Sequence, residues 1–319
     1  MMHPILERGH PGPTGGATDT VVVARGLRKA YGDTLAVDGV DLQVRAGEIF
    51  GLLGPNGAGK TTIVECLQGL RRRSDGQVRV LGLDPDVHGD ELRRRIGAQL
   101  QASALPDRLR VGEALELFSR PRHDALPVAE LGQRWGLSEL WRRPFAKLSG
   151  GQQQRLFIAL ALVNRPEVVF FDELTTGLDP QARRATWELV RRVRDDGATV
   201  VLVTHFMEEA EQLCDRVAIV DRGRIVAAGT PWQLVQRTDA AQRVTFTWPD
   251  ADLAWLSLLP GAKGATHADG GVEVLGCGAL AVQVAAALAG RGVLPTDFRT
   301  HHPNLEDVFL ALTGRDLRA

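Results

Sequence analysis

The chain has 319 residues, of which 44% are hydrophobic, and it carries 38 basic and 39 acidic side chains. This length exceeds the ~100 to 150 residues of a typical domain and allows a sizeable core, so we expect one large domain and one smaller domain. The near-zero net charge provides no global field that would draw the protein to nucleic acid or to an anionic membrane.

Cysteine usage and hydropathy argue against a disulfide framework, a zinc site and a membrane-spanning chain. Cys66, Cys214 and Cys277 are far apart in the sequence and form no CxxC pair, which disfavours a disulfide framework and a zinc site. We interpret them as free thiols of a reducing cytosol. The apolar runs are much shorter than the ~18 to 20 residues that span a bilayer, so the chain is not expected to cross a membrane.

The chain divides into three parts by pattern. Residues 1–19 are rich in glycine and proline and predict a disordered segment. Residues 20–239 alternate β-rich apolar runs with helical stretches, which predicts an α/β domain with a largely parallel sheet. The β signal disappears after residue 102, which predicts a helical subdomain of about residues 102–165. The predicted strands of this domain lie at residues 21–23, 49–53, 168–171, 200–203 and 217–220.

The pattern restarts on a smaller scale at residues 240–319. Short strands alternate with short helices there, which predicts a small α+β accessory domain. The predicted strands lie at residues 243–248, 272–275 and 294–300, and the predicted helices at residues 253–259, 279–289 and 305–312.

A glycine-rich loop follows the predicted strand at residues 49–53. It reads GPNGAGKT and precedes a predicted helix at residues 62–70, the strand-to-helix context that a P-loop requires. A plain glycine-rich turn is the alternative. Lys60 is placed to contact the β- and γ-phosphates of a nucleotide, and the Thr61 hydroxyl to bind Mg²⁺. The candidate phosphate-binding residues are Gly54, Pro55, Asn56, Gly57, Ala58, Gly59, Lys60, Thr61 and Thr62.

Two carboxylates follow the predicted strand at residues 168–171. A buried strand that ends in such residues is the usual source of the metal-orienting aspartate in P-loop proteins. By position, Asp172 orients Mg²⁺ and Glu173 accepts a proton from an attacking water. Two helix-capping acids are the alternative interpretation.

A second glycine-rich motif, LSGGQQQR at residues 148–155, distinguishes among P-loop proteins. It resembles the signature sequence of the ABC ATPase family, which kinases, GTPases and helicases lack. The signature residues Ser149, Gly150, Gly151 and Gln152 start a predicted helix and thus a second anion-binding N-terminus. The resemblance implies head-to-tail dimerisation, with the signature of one subunit covering the nucleotide of the other. We expect a homodimer, with a homologous subunit as the alternative.

Other elements of the ABC ATPase family follow in the expected order. The resemblance implies that Tyr31 stacks on adenine, although an aromatic packed in the core is the alternative. It implies that Gln101 reaches Mg²⁺ and senses the γ-phosphate, that Asp179 communicates across the dimer, and that His205 contacts the γ-phosphate. Leu174 departs from the family pattern, which commonly has proline there. The expected catalytic residues are Glu173, His205 and Gln101, and the expected metal ligands are Thr61, Gln101 and Asp172.

The segment PNLEDVFLALTGR at residues 303–315 carries a further resemblance. With the small domain before it, this segment resembles the C-terminal region of ATPases that serve ABC-2 type drug exporters of the daunorubicin-resistance group. The resemblance implies an ATP- and Mg²⁺-dependent subunit at the cytoplasmic face of the membrane. Closure of its dimer would energise efflux of a drug-like or other substrate through a separate polytopic permease. The apolar stripe of Leu305, Val308, Phe309 and Leu312 is otherwise interpreted as packing its helix on the small domain.

Two rival functions are also compatible with the sequence motifs. One is a soluble ABC ATPase that remodels a ribosomal or DNA-bound complex, and the other is a regulatory module that binds ATP without turnover. The single cassette and the short gap between P-loop and signature disfavour the first, and the presence of both Glu173 and His205 disfavours the second. Arginine clusters are interpreted as solvated helix faces, so no nucleic-acid partner is expected.

Overall fold

The computed structural model describes residues 20–99, 104–119, 127–237, 241–248, 253–268, 271–295 and 297–314. The predicted disordered segment at residues 1–19 and the predicted catalytic residue Gln101 lie outside these ranges.

A six-stranded sheet forms the centre of the molecule. Its strand order is β5-β6-β7-β3-β8-β9, and all neighbours are parallel except the β8–β9 hairpin. Every residue of β3, β6 and β7 is buried, as expected for parallel strands covered on both faces. This arrangement confirms the predicted α/β fold. The strands are β3 Ile49–Leu53, β5 Ile96–Gln99, β6 Val168–Asp172, β7 Thr199–Thr204, β8 Arg216–Asp221 and β9 Arg224–Gly229.

A second, antiparallel sheet covers one face of the first. It consists of β1 Thr20–Tyr31, β2 Thr34–Arg45 and β4 Asp75–Val80 in the order β2-β1-β4. Its buried side chains share one core with helix α1 (Lys60–Leu67) and with Phe50 and Phe170 of the central sheet. The sequence predicted only residues 21–23 of this sheet, because register shifts between Ala24 and Leu27 interrupt the alternation of β1.

Helices cover the other face of the central sheet. The described part of the predicted helical subdomain contains helices and one isolated bridge, between Arg110 and Pro144, and no longer strand. No helix in the described ranges is both long and apolar enough to cross a bilayer. The helices are α1 Lys60–Leu67, α2 Gly89–Leu92, α3 Val111–Ser119, α4 Val128–Arg134, α5 Gly150–Leu162, α6 Pro180–Asp195, α7 Met207–Leu213, α8 Pro231–Arg237, α9 Leu280–Gly290 and α10 Leu305–Thr313. Of the α-helices in the described ranges, α1 and α2 lie instead on the side of the antiparallel sheet, and α9 lies on the small sheet described below.

A small antiparallel sheet follows α8. It has the order β11-β12-β10-β13, and α9 packs on it around a separate apolar core that includes Val244, Phe246 and Val284. Two sequence predictions fail here, and one strand is absent from the predicted set. The strand β11 was missed, the predicted helix at residues 253–259 is only the 3-10 turn Leu256–Leu258, and the predicted strand at residues 294–300 is reduced to β13. The strands are β10 Gln242–Phe246, β11 Ala262–Ala268, β12 Gly271–Gly276 and β13 Arg299–His301.

The helix α10 returns to the large domain. Leu305, Val308 and Phe309 are buried in the core beneath the central sheet, and α10 contacts α7 and α8. The backbone N–H of Leu305 donates a hydrogen bond to Glu211 of α7. The interpretation that this apolar stripe packs on the small domain is therefore wrong. The small sheet is an insertion between α8 and α10, which both belong to the large domain by packing.

Candidate active site

The loop between β3 and α1 can be built only with glycine at two positions. Gly54 and Gly59 have φ angles of 150° and 101°. A Cβ atom would lie 2.1 Å from the Val220 carbonyl oxygen at Gly54 and 2.4 Å from the Ala36 carbonyl oxygen at Gly59. The loop therefore passes so close to β2 and β8 that its backbone, rather than side chains, shapes the site.

The loop encloses a cavity at the N-terminus of α1. The helix begins after Gly59 without a side-chain cap, so the N–H groups of its first turn are available to an anion. This start lies two residues earlier than predicted and brings Lys60 and Thr61 into the helix. The cavity has a volume of about 230 Å³ and is lined by Ala36, Asn56, Gly57, Gly59, Lys60, Thr61, Thr62 and Glu173.

Three predicted phosphate-binding residues do not line this cavity. The carbonyl oxygens of Gly54 and Pro55 accept hydrogen bonds from Lys60 Nζ at 2.7 and 2.9 Å. The N–H of Ala58 donates to the Pro55 carbonyl. These residues hold the loop and the ammonium group in place. Burial lowers the pKa of Lys60, while the carboxylates of Glu173 and Asp172 act in the opposite direction.

Asp172 and Thr61 form the candidate metal site. The Thr61 hydroxyl donates to Asp172 Oδ2 at 3.0 Å, and burial raises the pKa of Asp172 to about 6. Asp172 Oδ1 is buried and has no hydrogen-bond partner among the described residues. A hydroxyl oxygen beside an unpaired carboxylate oxygen suits Mg²⁺, a hard cation that takes one or two carboxylates together with phosphate oxygens and water. The residues present therefore fit the ion.

Glu173 lies on the same cavity and contacts His205. His205 Nδ1 is 3.2 Å from Glu173 Oε1, and the Thr176 hydroxyl donates to Glu173 Oε2 at 3.5 Å. The backbone of Glu173 has a φ of 51°, in the left-handed region, and its N–H donates to the Val203 carbonyl at 2.9 Å. Such a backbone costs about 1–3 kcal/mol and is typical of functional positions. The carboxylate is placed to accept a proton from a water in the cavity.

The signature motif lies on a different surface of the chain. Ser149 caps α5 in a reciprocal box with Gln152, and Asp179 caps α6 by accepting a hydrogen bond from the Ala182 N–H at 2.8 Å. Ser149, Gly151, Gln152 and Asp179 line a groove of about 320 Å³ that shares no residue with the P-loop cavity, whereas Gly150 does not line it. The two motifs therefore do not form one site within a single chain.

Tyr31 lies at the end of β1 and is 40% exposed, so its ring is not packed in the core. Lys29 and Arg71 place their charged groups 5.0 and 5.5 Å from the ring centroid. Both cationic groups therefore lie over the ring of this partly exposed residue.

Sequence reasoning missed Glu209. This residue is 1% exposed on α7 and accepts a hydrogen bond from Trp187 Nε1 at 3.1 Å. Burial raises its pKa, while the hydroxyls of Thr204 and Thr175 act in the opposite direction. Its hydrogen bond with Trp187 joins α7 to α6 in the buried interior. Its spacing of four residues from the buried Leu213 was the available signal, because it places Glu209 on the inner face of the helix.

Comparisons with known proteins agree with this geometry. The family profile "ABC transporter" matches residues 37–176. The chain is 40% identical to "Nod factor export ATP-binding protein I" of Ralstonia nicotianae, over 97% of this chain and 98% of that protein. It is 39% identical to "Daunorubicin resistance ATP-binding protein DrrA3" of Streptomyces coeruleorubidus, over 94% of this chain and 98% of that protein.

Solved structures with the same fold are also similar. An ATP-binding subunit of an ABC transporter aligns with a TM-score of 0.61 and 28% identity, over 68% of this chain and 93% of that chain. A dimeric, post-hydrolysis ATP-binding cassette bound to ADP and phosphate aligns with a TM-score of 0.58 and 28% identity, over 66% of this chain and 98% of that chain.

Proposed function

The chain belongs to the ATP-hydrolysing subunits of ABC transporters, and we propose that it energises an exporter at the cytoplasmic face of a membrane. The named relatives support export because their similarity spans nearly the whole chain, including the small sheet that lies beyond residues 37–176 of the family match. On this proposal the cargo, drug-like or of another class, passes through a separate polytopic permease.

The observation that best supports ATP hydrolysis is the contact between the side chains of Glu173 and His205. Lys60 and the N–H groups at the start of α1 hold the β- and γ-phosphates of ATP. Mg²⁺, held by Thr61 and Asp172, would neutralise charge on the phosphate oxygens. Glu173 accepts the proton of the attacking water, and His205 orients its carboxylate at 3.2 Å. The family resemblance adds Gln101 as a further metal ligand and Tyr31 as the adenine platform.

The separation of the two motifs supports a head-to-tail dimer. Ser149, Gly151, Gln152 and Asp179 line a surface groove that shares no residue with the P-loop cavity of their own chain. In a head-to-tail dimer, the groove of a second copy would lie over the nucleotide that is bound to the P-loop of the first copy. Two ATP molecules would then be buried between two copies, and the closed state would be favoured only because it binds ATP more tightly than the open state.

A Glu173→Gln variant tests hydrolysis and dimerisation together. We expect it to bind MgATP, to lose hydrolysis and to form a stable dimer, measured by phosphate release and by analytical ultracentrifugation. Glu188→Gln is the control, because the Glu188 side chain is 73% exposed on α6. If Glu173→Gln stayed monomeric with saturating MgATP, the head-to-tail dimer would be wrong.

Purification from native membranes tests the export role. We expect the tagged protein to be recovered with a polytopic membrane protein in stoichiometric amount, and the identity of that partner would indicate the cargo. Recovery in the soluble fraction with ribosomal or DNA-repair proteins would contradict export while leaving the ATPase assignment intact.

A further inference from the structure

Two neighbouring side chains contact the imidazole of His205. Its Nδ1 lies 3.2 Å from Glu173 Oε1. Its ring also contacts the ring of Phe206, with the two centroids 4.0 Å apart and the two planes inclined at 41°. Because the His205 side chain is 27% exposed, burial alone does not fix the orientation of the imidazole. The Phe206 ring therefore restricts the positions that the imidazole can take beside Glu173.

The ring of Phe206 is in turn contacted by Arg183 of α6. The guanidinium carbon Cζ of Arg183 lies 4.5 Å from the centroid of the Phe206 ring. This distance is within the ~6 Å over which a cation is attracted to the face of an aromatic ring. The contact joins the first turn of α6 to the residue that directly precedes α7.

The acidic neighbours of Arg183 hold its guanidinium group less directly. Nη1 of Arg183 lies 4.0 Å from Oε2 of Glu208, whose side chain is 65% exposed, and an exposed ion pair at this distance contributes little. The Arg183 charge also acts on the buried carboxyl group of Glu209. Nε of Arg183 is buried and has no hydrogen-bond partner among the described residues. The Phe206 ring is therefore the contact that best defines the position of the guanidinium group.

Arg183 and Phe206 line neither the P-loop cavity nor the signature groove. Their route to the reacting groups is through His205. The backbone N–H of Arg183 donates to the Asp179 carbonyl oxygen at 2.9 Å, which fixes Arg183 to the start of α6. A small displacement of an orienting group can slow a reaction strongly even where the displaced residue touches no reacting atom.

We propose that Arg183 and Phe206 are positioning residues for ATP hydrolysis, which keep the imidazole of His205 beside the Glu173 carboxylate. Arg183 acts on the Phe206 ring, and the Phe206 ring acts on the imidazole. Loss of either contact slows hydrolysis and leaves the affinity for ATP unchanged. This inference rests on the roles of Glu173 and His205 in the proposed function and adds two residues to them.

Four substitutions separate the aromatic ring and the charge from simple packing. Phe206→Leu removes the ring but keeps an apolar side chain, whereas Phe206→Tyr keeps the ring. Arg183→Met removes the charge but keeps a long unbranched side chain, whereas Arg183→Lys keeps the charge without the planar guanidinium group. Arg184→Met is the matched control, because Arg184 is the next residue of α6 and is exposed.

The first measurement is the rate of ATP hydrolysis by the full-length protein. Phe206→Leu and Arg183→Met are each expected to lower kcat about tenfold, the effect of losing one partly desolvated cation–π contact. The Kd for a fluorescent ATP analogue is expected to change less than about twofold, because neither residue lines the P-loop cavity. We expect Phe206→Tyr to restore most of the rate, Arg183→Lys to restore part of it, and Arg184→Met to leave it unchanged.

A double variant tests whether the two residues act through one contact. Arg183→Met combined with Phe206→Leu is expected to have the same kcat as Phe206→Leu alone, because the arginine has no ring to act on once Phe206 is replaced. Independent effects would instead multiply to about a hundredfold loss.

The imidazole of His205 provides a readout that a merely structural role would not change. A neutral imidazole that donates from Nδ1 to the Glu173 carboxylate carries its proton on Nδ1. This form is followed in the ¹H–¹⁵N correlation spectrum of the ring, assigned with His205→Ala. Phe206→Leu and Arg183→Met are expected to reduce its population in the nucleotide-free protein. Thermal unfolding checks the fold of each variant. If Phe206→Leu did not fold, Arg183→Met would provide the same test, because the Arg183 side chain is already 23% exposed.

Three results would overturn the proposal. The first is that folded Phe206→Leu and Arg183→Met keep the unchanged kcat while His205→Ala has lost hydrolysis, which would leave the proposed function intact. The second is that Arg184→Met lowers kcat as much as Arg183→Met, which would assign the effect to the overall charge of α6. The third is an unchanged kcat in His205→Ala, which would also remove His205 from the proposed function. The first and third results distinguish failure of this inference alone from failure of both.

Discussion

His205 Nδ1 lies 3.2 Å from Glu173 Oε1, and the two residues reach this contact from the ends of the neighbouring parallel strands β7 and β6. The P-loop follows the end of β3, and β3 pairs with β7 on the side of β7 that is opposite to β6. Three adjacent strand ends thus bring phosphate-binding and proton-accepting groups to the same edge of the sheet. The position of the site follows from this strand order.

Replacing His205 tests the orienting role of the imidazole. His205→Ala is expected to lower the rate of ATP hydrolysis about a hundredfold or more, because the Glu173 carboxylate loses the imidazole that contacts its Oε1 atom. The Kd for ATP, measured with a fluorescent analogue, is expected to change much less. His88→Ala, at an exposed histidine before α2, provides the control. An unchanged kcat in His205→Ala would remove His205 from the mechanism.

Replacing Gly59 tests the close approach of the P-loop to β2. A Cβ atom at Gly59 would lie 2.4 Å from the Ala36 carbonyl oxygen. Gly59→Ala is therefore expected to lower the free energy of unfolding by about 1–3 kcal/mol and to abolish ATP binding. Gly264→Ala is the matched control, because no atom lies within 4 Å of the added Cβ there. Equal denaturation midpoints for the two variants would contradict the strained geometry.

The raised pKa of Asp172 predicts a pH dependence of stability in the nucleotide-free protein. Burial raises this pKa to about 6, whereas an aspartate in the unfolded chain titrates near pH ~4. The folded state thus binds the proton more tightly, so the contribution of Asp172 to stability is full below pH ~4 and is lost as the pH rises through about 6. Asp172→Asn is expected to remove this contribution.

The measurement is the free energy of unfolding by denaturant, determined for the unchanged protein and for Asp172→Asn from below pH ~4 to above pH 6. Burial also raises the pKa values of Glu209 and Glu211, and both proteins contain these two residues. The difference in unfolding free energy between the unchanged protein and Asp172→Asn therefore reports the contribution of Asp172. Asp33→Asn, at an exposed position, is the control. Parallel stability curves for the unchanged protein and Asp172→Asn would contradict the prediction. Since a protonated carboxyl group does not bind the ion, Mg²⁺ affinity is expected to fall as the pH decreases through about 6.

The packing of α10 on the large domain predicts a difference between two neighbouring residues. Phe309 is 1% exposed and Leu310 is 49% exposed. Phe309→Ala is expected to lower the free energy of unfolding by about 3–5 kcal/mol, whereas Leu310→Ala changes it by about 0.5 kcal/mol or less. Chemical denaturation measures both values. Similar small effects would indicate that α10 is detached from the core in solution.

The sequence predicts the elements of the central sheet well. The strand β3 has the predicted bounds, and β6, β7 and β8 extend theirs by one or two residues. These strands are buried on both faces, so their apolar runs are continuous and easily recognised. The P-loop and the acidic pair at Asp172 and Glu173 were predictable because each depends on a strand and the residues directly after it.

Features that depend on distant partners were harder to predict. The strand β11, with the sequence AKGATHA, has little β-propensity and is held by pairing with β12. The apolar stripe of α10 predicts a buried face but does not state which surface covers it.

The return of α10 to the large domain affects the order in which the protein can fold during synthesis. The ribosome produces the small sheet before it produces α10, so the surface of α7 and α8 that Phe309 covers stays uncovered until then. N-terminal segments generally fold first as they emerge, yet this domain is completed only by one of the last helices described. A nascent chain interrupted within the small sheet would expose apolar surface to chaperones and proteases, which could remove it before it pairs with an intact subunit.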